Sequence, residues 1–197
     1  VRIFAAVVLS DENQRRLHQP VDWLVQAHAT VLRAIPDHTA HMTMAFVGEV
    51  EERSVAAIGE ALQEVARRRR PIDIELSGPR VLRARHDPRL IMLPVTVGAA
   101  ELDMIASDLH RAIAGRLPFL NLSPAKGAHV TLARFRKHAR PSDGRAVEQS
   151  LAGSDLSSLV LHDEVRELRL LESRLGAGGP RYEPLQSASF LPKRKRL

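Results

Sequence analysis

A six-residue pattern occurs twice in this chain and constrains its fold more than any other feature. His41-Met42-Thr43-Met44-Ala45-Phe46 returns as His129-Val130-Thr131-Leu132-Ala133-Arg134. Each copy follows a helix-like segment and a loop, and its apolar density predicts a strand. A strand that repeats in the same setting predicts two similar halves related by a pseudo-twofold axis. Successive side chains of a strand point to opposite faces. His41 and Thr43 therefore share one face, and Met42 and Met44 take the other. His129 and Thr131 likewise face away from Val130 and Leu132. Two such strands brought together present two imidazoles and two hydroxyls to one cleft while their apolar faces pack inward. Strict alternation sets Phe46 and Arg134 on the faces opposite their histidines. They reach the cleft only if each strand bulges near its end.

The remaining segments read as follows. Arg2 to Leu9 is a strand, closed by Ser10, which caps a helix across 11–29 that Pro20 interrupts or restarts. Leu32 to Ile35 is a short strand. Val55, Ile58, Leu62 and Val65 recur at helical spacing, and Arg67 to Arg70 with Pro71 end that helix as a solvated basic turn. Ile72, Ile74 and Leu76 alternate with acidic residues, as in a half-buried strand. Val81 to Ala84 and Leu90 to Val97 form a hairpin around Arg85-His86-Asp87-Pro88. Leu102, Ile105, Leu109 and Ile113 mark another amphipathic helix. The polar stretch 136–154 reads as a mobile loop. Leu159 to Leu161, Val165 to Leu175 and Tyr182 to Phe190 are strands, the last two joined by a glycine-rich turn through Gly176, Gly178 and Gly179. Hairpins outnumber β-α-β alternation. The expected fold is α+β: two pseudo-symmetric lobes of mostly antiparallel sheet, helices outside, with a central cleft. Residues 1–192 form a single bilobal domain in this reading, and 193–197 a basic tail.

Composition narrows the chemistry. The 197 residues contain no cysteine, which excludes disulfides, thiolate metal sites and cysteine nucleophiles, and fits a cytoplasmic location. No apolar run is long enough to span a membrane, so no membrane partner is expected. Lys and Arg total 29 against 23 Asp and Glu, a net charge of +6. Such a balance favours polyanions. Two imidazoles that titrate near neutrality suit a phosphodiester, one taking a proton and the other giving one. Hydroxyls and an arginine stabilise the charge that builds on the non-bridging oxygens. This scheme needs no metal and no cofactor. Blander roles stand beside these: Thr43 and Thr131 as ordinary strand formers, Arg134 as a surface residue, and Phe46 as a core residue. His38 and His41 together also suggest two ligands of a metal site.

H-x-T-x-x-F followed by H-x-T-L-A-R resembles the paired signature of the two-histidine (2H) phosphoesterases, most closely their RNA 2',3'-cyclic phosphodiesterase branch, also named 2'-5' RNA ligases. The resemblance covers nearly the whole chain. Arg2-Ile3-Phe4-Ala5 is similar to the family's opening strand, and Glu167 to Leu185, with Ser173, Leu175, Gly179 and Tyr182, to its closing hairpin. Lys126-Gly127-Ala128 stands where the family has an aromatic residue and a proline. The resemblance implies His41 as general acid and His129 as the base that activates water. Thr43, Thr131 and Arg134 would bind the phosphate, and Phe46 and Arg134 would sandwich the terminal base. The implied substrates are RNA ends or nucleoside 2',3'-cyclic phosphates, opened to a 2'-phosphate by a monomer. The same residues also serve 2'-5' ligation or another small cyclic phosphate. A non-catalytic module that binds RNA ends is the reading of a different class.

Overall fold

The computed structural model describes residues 1–36, 39–125, 127–176 and 179–193. His38, Lys126, Gly178 and residues 194–197 of the basic tail lie outside them. The first half runs β1 (Arg2–Val8), α1 (Asp11–Ala27), β2 (Leu32–Ala34), β3 (His41–Glu49), α2 (Glu52–Ala66), β4 (Ile72–Ser77) and β5 (Arg80–Ala84). The second half repeats that order as β6 (Asp87–Val97), α3 (Ala99–Arg116), β7 (Ser123–Pro124), β8 (His129–Phe135), α4 (Pro141–Ala152), β9 (Val160–Val165) and β10 (Glu167–Gly176). A final strand, β11 (Gly179–Ser189), pairs with β10.

The pairings repeat along with the elements, and all are antiparallel. β1–β3 is matched by β6–β8, and β1–β10 by β6–β5. The short strands cross over: β2 of the first repeat pairs with β8, and β7 of the second pairs with β3. β3 meets β8 and β4 meets β9 across the pseudo-twofold axis. The result is one curled antiparallel sheet with four helices, the α+β arrangement expected from the doubled motif.

One face of this sheet and the helices share a continuous core. It contains Ile3, Ala5 and Val7 of β1, Met42 and Met44 of β3, and Val130 and Leu132 of β8. Leu17, Ile58, Leu62, Leu102, Ile105 and Leu151 cover them from the helices. A smaller cluster of Phe4, Ala6 and Leu171, joined by Tyr182, lies on the other face of β1.

Several local readings change. Segment 136–154 is not a loop: α4 occupies Pro141–Ala152, with Pro141 in its first turn and the Asp143 carboxylate accepting from the Arg140 backbone N–H at 2.7 Å. Its apolar face is only Val147 and Leu151, with Gly144 against the Arg83 side chain, too sparse a stripe to show as periodicity. α1 runs through Pro20 unbroken. The carbonyl that proline leaves without a donor belongs to exposed Arg16, within reach of water. The strand read as Val165 to Leu175 divides at Arg166 into β9 and β10. A 3-10 turn at Asp155–Ser158 was also unanticipated. The arginine run is only partly solvated, because Arg69 is tied to Asp108 of α3 and Arg70 to the Pro192 carbonyl.

The repeat is broken in one place. β4 pairs with β6, yet among the described residues β9 makes no ladder with β1. Side chains bridge this seam instead. The Ser10 N–H donates to Asp163 Oδ2 at 2.8 Å, and Asn13 Nδ2 donates to the His162 carbonyl at 2.8 Å. A cavity of about 750 Å³ opens there, lined by Val7, Val8, Asp163, Glu164 and Arg169 among others. Neither His41 nor His129 borders it.

Candidate active site

The two motif strands meet at one ladder position, Met42 opposite Val130. Both side chains are fully buried, so the residues on either side of them face the other way. One antiparallel step from this pair sets His41 beside Thr131 and Thr43 beside His129. Each imidazole thus neighbours the hydroxyl of the other repeat, and all four residues are half-buried.

Both strands carry the bulge that the sequence required. The β1–β3 register passes from Ala6–Thr43 to Ala5–Ala45, which leaves Met44 as an extra residue. The β6–β8 register passes from Met92–Thr131 to Ile91–Ala133, which leaves Leu132 extra. Met44 and Ala45 are both buried, as are Leu132 and Ala133. The phase then shifts by one residue, and Phe46 and Arg134 emerge exposed on the histidine face.

The histidines are held alike. His41 Nδ1 lies 2.6 Å from the Thr39 carbonyl, and His129 Nδ1 lies 2.7 Å from the Gly127 carbonyl. A carbonyl only accepts, so each Nδ1 carries its proton and each Nε2 is left for chemistry. Gly127 has φ +62°, a left-handed backbone that favours glycine. Its main-chain carbonyl orients the His129 ring.

Aromatic rings enclose His41. The Phe4 ring centroid is 5.0 Å from the imidazole and that of Tyr182 is 5.2 Å, edge-on. Burial pushes the His41 pKa below the ordinary imidazole range, the Thr39 carbonyl opposes this, and the charges of Arg134 and His129 lower it further. Both charges therefore lie within electrostatic reach of the His41 ring. Sequence reasoning assigned no role to Phe4, Tyr182 or the two carbonyls. Phe4 and Tyr182 lie in segments that resembled the family's, but their contact with His41 depends on long-range register.

Phe46 lies toward the C-terminal end of β3 and Arg134 toward that of β8, on antiparallel strands. Phe46 pairs with Phe4 of β1, and Arg134 lies between Leu90 of β6 and Arg33 of β2.

The comparisons with known proteins agree with this geometry. Residues 11–177 match the family model of the 2'-5' RNA ligase superfamily. The chain belongs to the 2'-5' RNA ligase superfamily. Within it, the chain is similar to the RNA 2',3'-cyclic phosphodiesterase of Aeropyrum pernix, 31% identical over 81% of this chain and 87% of that one. The enzyme of the same name from Aquifex aeolicus is 24% identical over 92% of this chain and 93% of its own. The superfamily fold is also that of TT0787 of Thermus thermophilus, whose crystal structure matches with a TM-score of 0.76 at 21% identity, covering 98% of this chain and 100% of that one. Among the described residues, no helix of this superfamily member is long and apolar enough to cross a membrane.

Proposed function

We propose that this protein hydrolyses 2',3'-cyclic phosphate ends of RNA to 2'-phosphates, with His41 and His129 as its acid–base pair. The observation that carries this reading is the matched pair of imidazoles, each tied through Nδ1 to a carbonyl two residues upstream. The names of the two curated relatives support the substrate class. His129 Nε2 takes a proton from water as the water oxygen attacks phosphorus. The bond from phosphorus to the ribose 3'-oxygen breaks, and protonated His41 Nε2 delivers its proton to that oxygen. The phosphate stays on the 2'-oxygen. Thr43 and Thr131, set beside the two rings, donate to the non-bridging oxygens, and Arg134 offsets their charge. Phe46, 52% exposed on the same face, offers a ring for the base to stack on. The two imidazoles carry both proton transfers as a monomeric domain needs them, in the cytoplasm and without a cofactor.

The test is turnover of an oligonucleotide with a 2',3'-cyclic end in EDTA, with the product phosphate located by NMR. His41→Ala and His129→Ala should each lower kcat by about 10²- to 10⁴-fold. Wild-type rates in either variant, or a 3'-phosphate product, would overturn the assignment.

A further inference from the structure

We infer that the second repeat holds a binding strip for the RNA strand on the 5' side of the reacting nucleotide. This rests on the function proposed above and adds to it the length of RNA that the site grips. Two rows of paired residues cross the histidine face of β5, β6, β8 and β2. One row is Leu82–Leu90–Arg134–Arg33, and the other is Arg80–Met92–Thr131. Residues opposite one another on antiparallel strands point to the same face, so these side chains share the face of the phosphate-binding groups. The alternate residues confirm the direction: Ile91 is in the main core, and Arg83 is ion-paired with Glu148 of α4 at 2.7 Å.

Three properties make this strip a nucleic-acid surface. First, neither row contains a carboxylate. Arg33, Arg80 and Arg134 have no side-chain partner among the described residues, whereas Arg69, Arg83, Arg116 and Arg174 are all ion-paired. Second, Leu82 is 42% exposed and is backed by Leu90 and Met92, which are buried outside the main core, so its side chain gives a base an apolar edge. Third, the first repeat lacks the equivalent. The counterpart of Arg80–Met92–Thr131 is Arg169–Ala6–Thr43, and there Arg169 Nε is held by Glu167 Oε1 at 2.6 Å. The counterpart of the Leu82 row is Leu171–Phe4–Phe46–Ser123, which carries no cation. The cleft therefore has an aromatic wing and a cationic wing. From Arg134 to Leu82 spans two strand spacings, about 10 Å, room for a nucleotide beyond the reacting one. A 3'-terminal cyclic phosphate leaves RNA continuing only in the 5' direction, so the cationic wing takes that strand through its phosphates.

The experiment compares uridine 2',3'-cyclic phosphate with a five-nucleotide RNA ending in the same group. Arg80→Glu and Leu82→Glu should each lower kcat/KM for the oligonucleotide roughly tenfold while leaving the mononucleotide within about twofold, and Arg80→Lys should restore most of the loss. Equal losses on both substrates, or no loss on the oligonucleotide, overturn the strip. Binding is measured in parallel by fluorescence anisotropy with a labelled single-stranded RNA bearing a 3'-phosphate, so the strip is tested even if the proposed hydrolysis fails. Arg80→Glu should weaken that binding and make its logarithmic salt dependence shallower by about 0.7 for the lost phosphate contact. Unchanged affinity and slope reject the proposal.

Discussion

Every neighbour of the His41 ring acts on its charge. Burial, Arg134 and His129 disfavour the imidazolium, and the Thr39 carbonyl supports it. The folded state therefore holds this proton less tightly than the unfolded chain does. Above about pH 6.5 the ring is neutral in both states and folding is unaffected. As pH falls below that value the unfolded chain takes up the proton first, so stability is lost until the depressed folded pKa is reached. A His41→Gln variant should accordingly lose less melting temperature than wild type between pH 7 and 5. Catalysis gives the complementary sign. As general acid, His41 must enter the reaction protonated, so kcat/KM should decline as pH rises past its lowered pKa. The bound phosphate anion raises that pKa, so the descending limb of kcat should sit at higher pH than that of kcat/KM. Coincident limbs would remove the acid role from His41. The residues of the two motifs were legible because strand alternation sorts them by type. The Thr39 and Gly127 carbonyls were not, since a main-chain acceptor leaves no mark in the sequence.

The helices and strands show where local pattern suffices and where it runs out. α2 and α3 were readable because Ile58, Leu62, Leu102 and Leu109 recur at helical spacing and bury one face fully. α4 escaped because a short helix resting on Val147 and Leu151 needs little apolar surface, and its charged exposed face reads as a loop. If α4 belongs to the cooperative fold, Val147→Ala should cost about 1–3 kcal/mol in chemical denaturation through the cavity it leaves. A mobile loop would show almost no change. The bulges were legible only as a condition: Phe46 and Arg134 reach the histidine face solely through an extra residue, and each strand supplies it at the same step of the motif.

On the scale of the whole molecule, the doubled motif foretold the pseudo-twofold plan, but not the seam where β9 and β1 part. There the Asp163 carboxylate replaces a ladder by accepting from Ser10 N, Asn13 Nδ2 and Glu164 N. Asp163→Ala should destabilise the protein by about 1–3 kcal/mol, since the donors it leaves are partly shielded from water. Turnover should remain within about twofold of wild type, because the seam borders neither histidine. A larger drop in kcat would mean that the seam governs the spacing of the two repeats.

The exchanged short strands have a mechanical consequence. β2 belongs to the repeat that carries His41, yet it braces the strand of His129; β7 does the reverse. Neither imidazole is anchored by its own half alone, so a shift of one half drags the scaffold of the opposite ring with it. Proton donor and proton acceptor are in this sense cross-stitched, and the gap between them is conserved under motions that would pry apart two independently mounted groups.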